Sequence, residues 1–326
     1  MSNTPFMTSA QQDMIGEYPK GICRILSLDG GGAKAFYTLG VLREVEAILP
    51  SSINESFDLI FGTSTGSIIA ALLSLGRSVD EIHELYRKHV PTIMRARGAH
   101  AKTTALQAAG REIFGDARFN EVRIGLGIVS TKWRQGTPMI FKSSHTQAHG
   151  RRATFVPGFG CTIADAVEAS CSAYPYFKRK VVETSNGDEI ELFDGGYCAN
   201  NPTLYALVDA IAALKYAPKD CRVLSIGCGQ YPYPRYRFFN FMKRLCSLRL
   251  VEKTLDVNTA SMDQLRQLLF PTVPTVRVSG TFERPEMATD MFEHDLKKLS
   301  HLRVRGSESF ALHEDQIRQL LFDGEQ

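Results

Sequence analysis

The chain has no run approaching the roughly eighteen apolar residues that a membrane-spanning helix needs, so any meeting with a bilayer has to be made from the side. Its first twenty residues, MSNTPFMTSAQQDMIGEYPK, lack the basic start and apolar core of a secretory signal and read as a polar N-terminal arm. Seven cysteines (Cys23, Cys161, Cys171, Cys198, Cys221, Cys228 and Cys246) contain no C-x-x-C pair, which points away from a disulfide framework or a zinc site and toward reduced thiols in the cytoplasm. No helical stretch carries paired ligands at metal-binding spacing, and there is no internal repeat or low-complexity segment. The net charge of +3 is too small to mark a binder of DNA or RNA polymers. With 44% hydrophobic and 22% charged residues over 326 positions, the composition is that of a globular protein with a sizeable core.

The stretch FDLIFGTSTGSIIAALLSLG, Phe57 to Gly76, is the most informative. A short apolar run reads as a buried strand, Gly62-Thr63-Ser64-Thr65-Gly66 as a tight turn, and Ser67 to Leu75 as a buried helix. This is the context a G-x-S-x-G serine requires. A serine at the tip of such a turn has its hydroxyl lifted above the sheet, and the flanking glycines remove side chains that would clash. The helix that follows turns its unpaired N–H groups and partial positive charge toward Ser64, the candidate nucleophile.

A second strand, turn and helix precedes it. ICRILSL runs into Asp29-Gly30-Gly31-Gly32, and Ala33 to Leu49 has helical spacing that stops at Pro50. Three consecutive glycines leave backbone N–H groups uncovered for an anion. A nucleotide fingerprint fits poorly, because Gly30-Gly31-Gly32-Ala33-Lys34-Ala35 does not satisfy G-x-G-x-x-G and the Walker pattern is absent. An oxyanion hole built from the amides of this loop and of Thr65 fits better, with Lys34 as supporting charge.

Further along, Val79 to Val90 is amphipathic, and Pro91 to Thr104, with Arg95, Arg97, His100 and Lys102, reads as a mobile basic loop. Val122 to Val129 and Pro138 to Phe141 read as strands, and Thr162 to Ala173 as a helix capped at Thr162. Asn186-Gly187 marks a hairpin that delivers the chain into Asp194-Gly195-Gly196, then Asn200-Asn201-Pro202 and a helix from Thr203 to Leu214. Asp194, at a strand end, is placed where a catalytic carboxylate could stand, although turn formation alone accounts for an aspartate there. Val223 to Ile226 is another strand. The segment Tyr231 to Lys253 interleaves aromatic and basic residues, which suits a membrane surface, a phosphate-bearing ligand or a plain packed helix. An apolar seam from Leu248 to Leu269 could pack against a second copy, and helices are expected near Thr289 to Leu299 and Ser309 to Leu320.

Taken in one order, Asp29-Gly30-Gly31-Gly32-Ala33-Lys34, Gly62-Thr63-Ser64-Thr65-Gly66 and Asp194-Gly195-Gly196 resemble the motifs of the patatin-like phospholipases. The resemblance spans about residues 22–205 and includes Asn200-Asn201-Pro202; lysine at 34 and alanine at 35 stand where the family often has arginine and glycine. It implies an α/β three-layer fold, with a central mostly parallel sheet flanked by helices, in one domain over 21–326 with a helical C-terminal part at 231–326. It implies a lipid acyl hydrolase with a Ser64–Asp194 dyad, an oxyanion hole from Gly30, Gly31 and Gly32, and no cofactor. LSLDGGGAKAFYTLGVL with GTSTGSIIAALL further resembles bacterial phospholipases switched on by cyclic dinucleotides in antiphage defence. That likeness implies a cyclic dinucleotide activator, membrane phospholipid as substrate and a cytoplasmic protein that works at the inner membrane face. It makes the 91–104 and 231–253 segments candidate phosphate surfaces.

Three rivals stand beside this reading. One is a constitutive lipid hydrolase without nucleotide control. Another is an α/β-hydrolase triad, for which only His294, His301 and His313 follow Asp194. The third is a ligand-sensing, membrane-binding module with a dead site.

Overall fold

The computed structural model describes residues 21–149, 155–233 and 242–322, and within them eight strands form one sheet. The expected arm at 1–20 lies outside these residues. In chain order the strands are β1 (Cys23–Leu28), β2 (Leu59–Thr63), β3 (Gly125–Lys132), β4 (Thr137–Lys142), β5 (Lys180–Glu183), β6 (Glu189–Asp194), β7 (Cys221–Ile226) and β8 (Thr275–Val278). Besides a single turn at Ile53–Ser56, the helices are α1 (Ala35–Ile48), α2 (Thr65–Ser74), α3 (Val79–Arg95), α4 (Gly98–Phe114), α5 (Ile163–Ser170), α6 (Gly196–Ala199), α7 (Thr203–Val208), α8 (Met242–Leu269), α9 (Leu296–Ala311) and α10 (Glu314–Phe322).

Five strands, in the order β3-β2-β1-β7-β8, run parallel, while β4 and β6 join β3 antiparallel and β5 joins β6 antiparallel. Strand periodicity decides the layering. Leu26, Leu28 and Ile60 face one core with Phe36, Leu39, Ile69, Leu72 and Ile82, whereas Cys23, Ile25, Leu59 and Phe61 face a second with Ala206, Leu207 and Ala210. Helices therefore cover both faces, which is why the parallel strands are apolar throughout instead of alternating. The antiparallel hairpin β5–β6 turns at the expected Asn186-Gly187, and Thr162 caps α5 by accepting from the Asp165 amide at 3.1 Å.

Residues 91–104 are not a mobile basic loop. Helix α3 continues through Pro91 to Arg95, and α4 begins at Gly98. Burial of Val90, Pro91 and Ile93 outweighs the hydrogen bond that proline cannot donate. Lys102 is 2% exposed, and its ammonium donates to the carbonyls of Ile93 (3.2 Å) and Met94 (2.5 Å), which the last turn of α3 leaves unpaired. It is therefore a cap and not a phosphate contact. The helix expected near 289–299 instead starts after Asp295, whose carboxylate accepts from the amides of Lys297 and Lys298; Thr289 and Asp290 are buried in the preceding loop. Strand β8 has no counterpart in the sequence reading, because four residues at a sheet edge carry too little pattern. The seam on α8 divides, with Leu248 buried and Leu265 and Leu269 exposed. Much of the 231–253 segment lies outside the described residues.

Candidate active site

Strands β1 and β2 are parallel neighbours with Leu28 beside Gly62, so their two turns leave the same end of the sheet side by side. Ligand sites of parallel sheets form at that end, where loops diverge. Gly66 is needed for the approach: a Cβ there would lie 2.4 Å from the Leu28 carbonyl oxygen and 2.5 Å from that of Asp29. Gly62 is equally confined, with a Cβ position 2.3 Å from the Gly66 oxygen. Between them Ser64 adopts φ 51° and ψ −128°. A side chain held in that region costs on the order of 1–3 kcal/mol and persists only where the surroundings impose it. Here the Ser64 amide donates to Ser170 Oγ (2.8 Å), the Ser67 amide and hydroxyl both donate to the Ser64 carbonyl (2.8 and 2.6 Å), and Tyr86 Oη donates to the Thr65 carbonyl (2.7 Å).

Register brings the carboxylate. Thr63 is level with Val129 across β2 and β3, so Ser64 stands one residue on, beside Ser130, and Ser130 pairs with Asp194 of β6. Ser64 Oγ donates to Asp194 Oδ2 at 2.8 Å, and the Gly196 amide donates to Oδ1 at 2.7 Å. Asp194 is 2% and Ser64 8% exposed. Burial pushes the Asp194 carboxyl up to about 6, against the pull of the Gly196 amide and the Ser64 hydroxyl. Among the described residues no histidine is a hydrogen-bond partner of this pair: His294 meets the Phe292 carbonyl, and His313 the Ser309 carbonyl.

The glycine loop is held from below. Asp29, 3% exposed, is gripped by Arg277 through Nη1 to Oδ1 at 2.9 Å and Nη2 to Oδ2, while Nη1 also reaches Ser225 Oγ at 2.8 Å. Burial raises the Asp29 pKa and Arg277 opposes the rise. The three glycines then differ. The Gly30 amide donates to the Asn200 carbonyl at 3.1 Å, so it is engaged and not turned toward a substrate. Its lack of a side chain serves packing, because a Cβ would lie 3.1 Å from Ser64 Cβ and 2.5 Å from Asn200 Oδ1. Among the described residues the Gly31 amide has only a long bond, 3.3 Å, to Thr65 Oγ1. Gly32, at φ 58°, and Thr65 have amides without a protein acceptor among the described residues. Lys34 lies behind the loop, its Nζ 3.8 Å from Glu252 Oε1 and its side chain 15% exposed.

Sequence reasoning did not find Ser170, which orients the Ser64 amide, or Arg277, which anchors Asp29 from 248 residues away. Neither belongs to a local pattern. Asn200 was noted only within its run; its Nδ2 donates to the Gly30 carbonyl (3.2 Å) and to Thr259 Oγ1 (2.8 Å), and its own amide donates to Asn258 Oδ1 (2.8 Å), linking the site to α8. Among the described residues no group of three or more His, Cys, Asp or Glu could hold a metal ion, and no helix is long and apolar enough to cross a membrane.

The family model described as patatin-like phospholipase matches residues 26–207. A protein named cUMP-AMP-activated phospholipase from Escherichia coli is 58% identical over 301 residues, covering 92% of this chain and 94% of that one. A cGAMP-activated phospholipase from Vibrio cholerae is 27% identical over 65% of each chain. Human calcium-independent phospholipase A2-gamma is 28% identical over 64% of this chain and 28% of its own length.

Proposed function

This chain belongs to the patatin-like phospholipases, and from that premise we propose that it cleaves phospholipid esters with Ser64 as nucleophile and Asp194 as its base, under the control of a cyclic dinucleotide. The observation that carries the catalytic part is the 2.8 Å bond from Ser64 Oγ to a carboxylate whose pKa burial has lifted to about 6. A base of that strength is ionised at neutral pH yet takes a proton more readily than an ordinary aspartate. Asp194 accepts the hydroxyl proton as Oγ adds to the ester carbonyl. The amides of Gly31, Gly32 and Thr65 receive the developing oxyanion, an assignment that rests on their weak or missing acceptors. Collapse releases the lysolipid alcohol, which recovers the proton, and leaves an acyl-Ser64 ester. Asp194 then deprotonates water for hydrolysis of that ester. Gly30 supports the approach of the two turns and is not assigned as a donor. The cytoplasmic face of a bacterial membrane is the proposed place of action, in antiphage defence.

Nucleotide control rests on two supports. The most extensively matching relative described above is named for activation by cUMP-AMP, and the dyad is largely buried, with Ser64 8% and Asp194 2% exposed. A signal that widens access to so buried a hydroxyl would raise the rate, so a separate effector has something to act on. The direct test is fatty-acid release from phosphatidylethanolamine and phosphatidylglycerol vesicles, by wild type and Ser64→Ala, with and without cUMP-AMP, cGAMP and other cyclic dinucleotides. The expected result is release by wild type only with one nucleotide, and none by Ser64→Ala. Release without nucleotide removes the switch and keeps the hydrolase. Absence of release in every arm, with no labelling of Ser64 by a serine-reactive probe, favours the inactive binding module.

The pH profile follows from the same carboxylate. The base must be ionised, so activity on a soluble short-chain ester is expected to fall as pH drops through about 6 and to be level above about 7.5. A flat profile from pH 4.5 to 7.5, with folding followed by circular dichroism, contradicts Asp194 as the base.

A further inference from the structure

Behind the glycine loop lies a cavity of about 330 Å3 lined by Lys34, Tyr231, Tyr233, Glu252, Asp256 and Thr289, among others. Nine buried side-chain nitrogen or oxygen atoms lack a partner among the described residues, and three of them belong to residues that line this one cavity: Tyr231 Oη, Glu252 Oε2 and Thr289 Oγ1. Glu252 is 3% and Thr289 5% exposed. They come from three separate elements, the segment after β7, helix α8 and the loop before α9. Each unpaired buried polar group costs on the order of 1–3 kcal/mol, so their convergence calls for a polar occupant.

The chemistry of the lining narrows the occupant. Glu252 Oε2 is an unpaired acceptor on a lining residue, the two hydroxyls donate or accept, and Tyr233 is a half-exposed aromatic ring with the Arg249 guanidinium 5.2 Å from its centre. The ammonium of Lys34 and the exposed Lys253 add cationic groups to the same lining. A nucleobase meets each of these: ring or exocyclic N–H groups for the carboxylate, a flat face for the tyrosine, and a nearby phosphodiester for the cations. Adenine offers an exocyclic amine and uracil a ring N–H, so either base of cUMP-AMP suits an acceptor-only oxygen.

Two short hydrogen-bonded routes join this cavity to the oxyanion loop. The Met291 amide donates to Glu252 Oε1 (2.8 Å), and the Met291 carbonyl accepts from the Ala33 amide (3.0 Å) and presses on Gly32, where a Cβ would lie 2.5 Å away. Two turns further along α8, Asn258 and Thr259 hold Asn200, which holds Gly30. Leu255 on the same helix covers Gly196, its Cδ2 2.8 Å from where a Cβ would stand.

We infer that this cavity is the activator site, seating one base of the cyclic dinucleotide against Glu252, Thr289 and Tyr233, and that its occupancy moves α8 and the peptide at Met291, resetting the glycine loop and uncovering the dyad. The identity of the ligand rests on the nucleotide-activation reading; the site itself rests on the three orphan groups and the two routes.

Calorimetric binding of cUMP-AMP decides it, using the full-length protein as wild type, Glu252→Gln, Thr289→Val and Tyr233→Ala. Lys132→Ala serves as the comparison, from the separate cavity lined by Lys132, Phe159 and Asn186. Glu252→Gln keeps an acceptor for the Met291 amide but puts a donor where Oε2 stood, and Thr289→Val keeps volume without the hydroxyl. The expected result is binding weakened about tenfold or more by each of the three, with Lys132→Ala binding as wild type. Wild-type affinity in all three overturns the site, since the cavity then holds only water, and leaves nucleotide activation standing. Loss of binding in Lys132→Ala alone moves the site to the other cavity. If wild type binds none of a panel of cyclic dinucleotides, the activation reading itself fails and the site falls with it. Should Glu252→Gln or Thr289→Val not fold, Tyr233→Ala at the half-exposed rim decides alone.

Discussion

An Asp194→Asn enzyme is expected to lose fatty-acid release by about 10³- to 10⁴-fold and yet to melt at a higher temperature than wild type at pH 7.5. The first effect follows because an amide cannot take the Ser64 proton. Geometry is preserved, since the amide oxygen can still accept from the Gly196 amide at the 2.7 Å position, and the new NH₂ can donate to Ser64 Oγ. The second effect comes from the raised pKa. A carboxyl lifted from 3.8 to about 6 binds its proton more tightly in the folded than in the unfolded chain. The folded state is therefore penalised as pH rises from about 4 to about 6, and the penalty is complete above 6. At about 1.4 kcal/mol per unit the ceiling is roughly 3 kcal/mol. The neutral amide escapes it, with a gain on the order of 1–2 kcal/mol and a few degrees in Tm. Thermal melts at pH 7.5 and at falling pH check the sign, because the gap should close toward pH 4. A variant that is inactive but less stable at pH 7.5 would sink the claim that the base is held ionised at a cost.

Gly66→Ala is expected to destabilise the protein by about 3 kcal/mol or more, with urea unfolding as the measurement. The added methyl would stand 2.4 and 2.5 Å from two carbonyl oxygens, and both are backbone atoms at the end of β1. No rotamer change can relieve such a contact, so β1 and α2 must part. That parting also separates Ser64 from the glycine loop, so activity should fall even in molecules that remain folded. Gly110→Ala is the matched comparison. It lies within α4 with nothing within 4 Å of its Cβ position, and the change should be neutral or stabilising by about 0.5–1 kcal/mol. Equal losses from the two substitutions would mean that the turn tolerates separation and that the glycine is not required by packing.

The pair of predictions separates two uses of a buried position. On the proposed mechanism, Asp194 lies in a place that weakens the fold in exchange for a usable base. Gly66 lies in a place that the fold cannot relinquish, because two backbones meet there. Sites that store strain or an unfavourable charge persist only where neighbours over-determine them. Here those neighbours are Ser170, Tyr86 and the Gly196 amide.

By itself the sequence determined what depends on neighbours a few positions away. Ile22 to Leu28 and Phe57 to Phe61 could only be buried strands, and the glycines around Ser64 and after Asp29 could only be tight turns into helices, because backbone sterics act within a few residues. Asn186-Gly187 called for a hairpin and Thr162 for a helix cap for the same reason. The order of three such motifs sufficed for the family. Only the tertiary structure decided which distant groups meet. The pairing of Ser130 with Asp194 brings the carboxylate to Ser64, and Arg277 reaches Asp29 across 248 residues. The Asn200 carbonyl takes the Gly30 amide, Lys102 turns inward to cap a helix, and Glu252 Oε2 and Thr289 Oγ1, without partners among the described residues, converge behind the glycine loop. Each of these is set by strand register and by how burial is shared among elements, and neither quantity is encoded in any short stretch of chain.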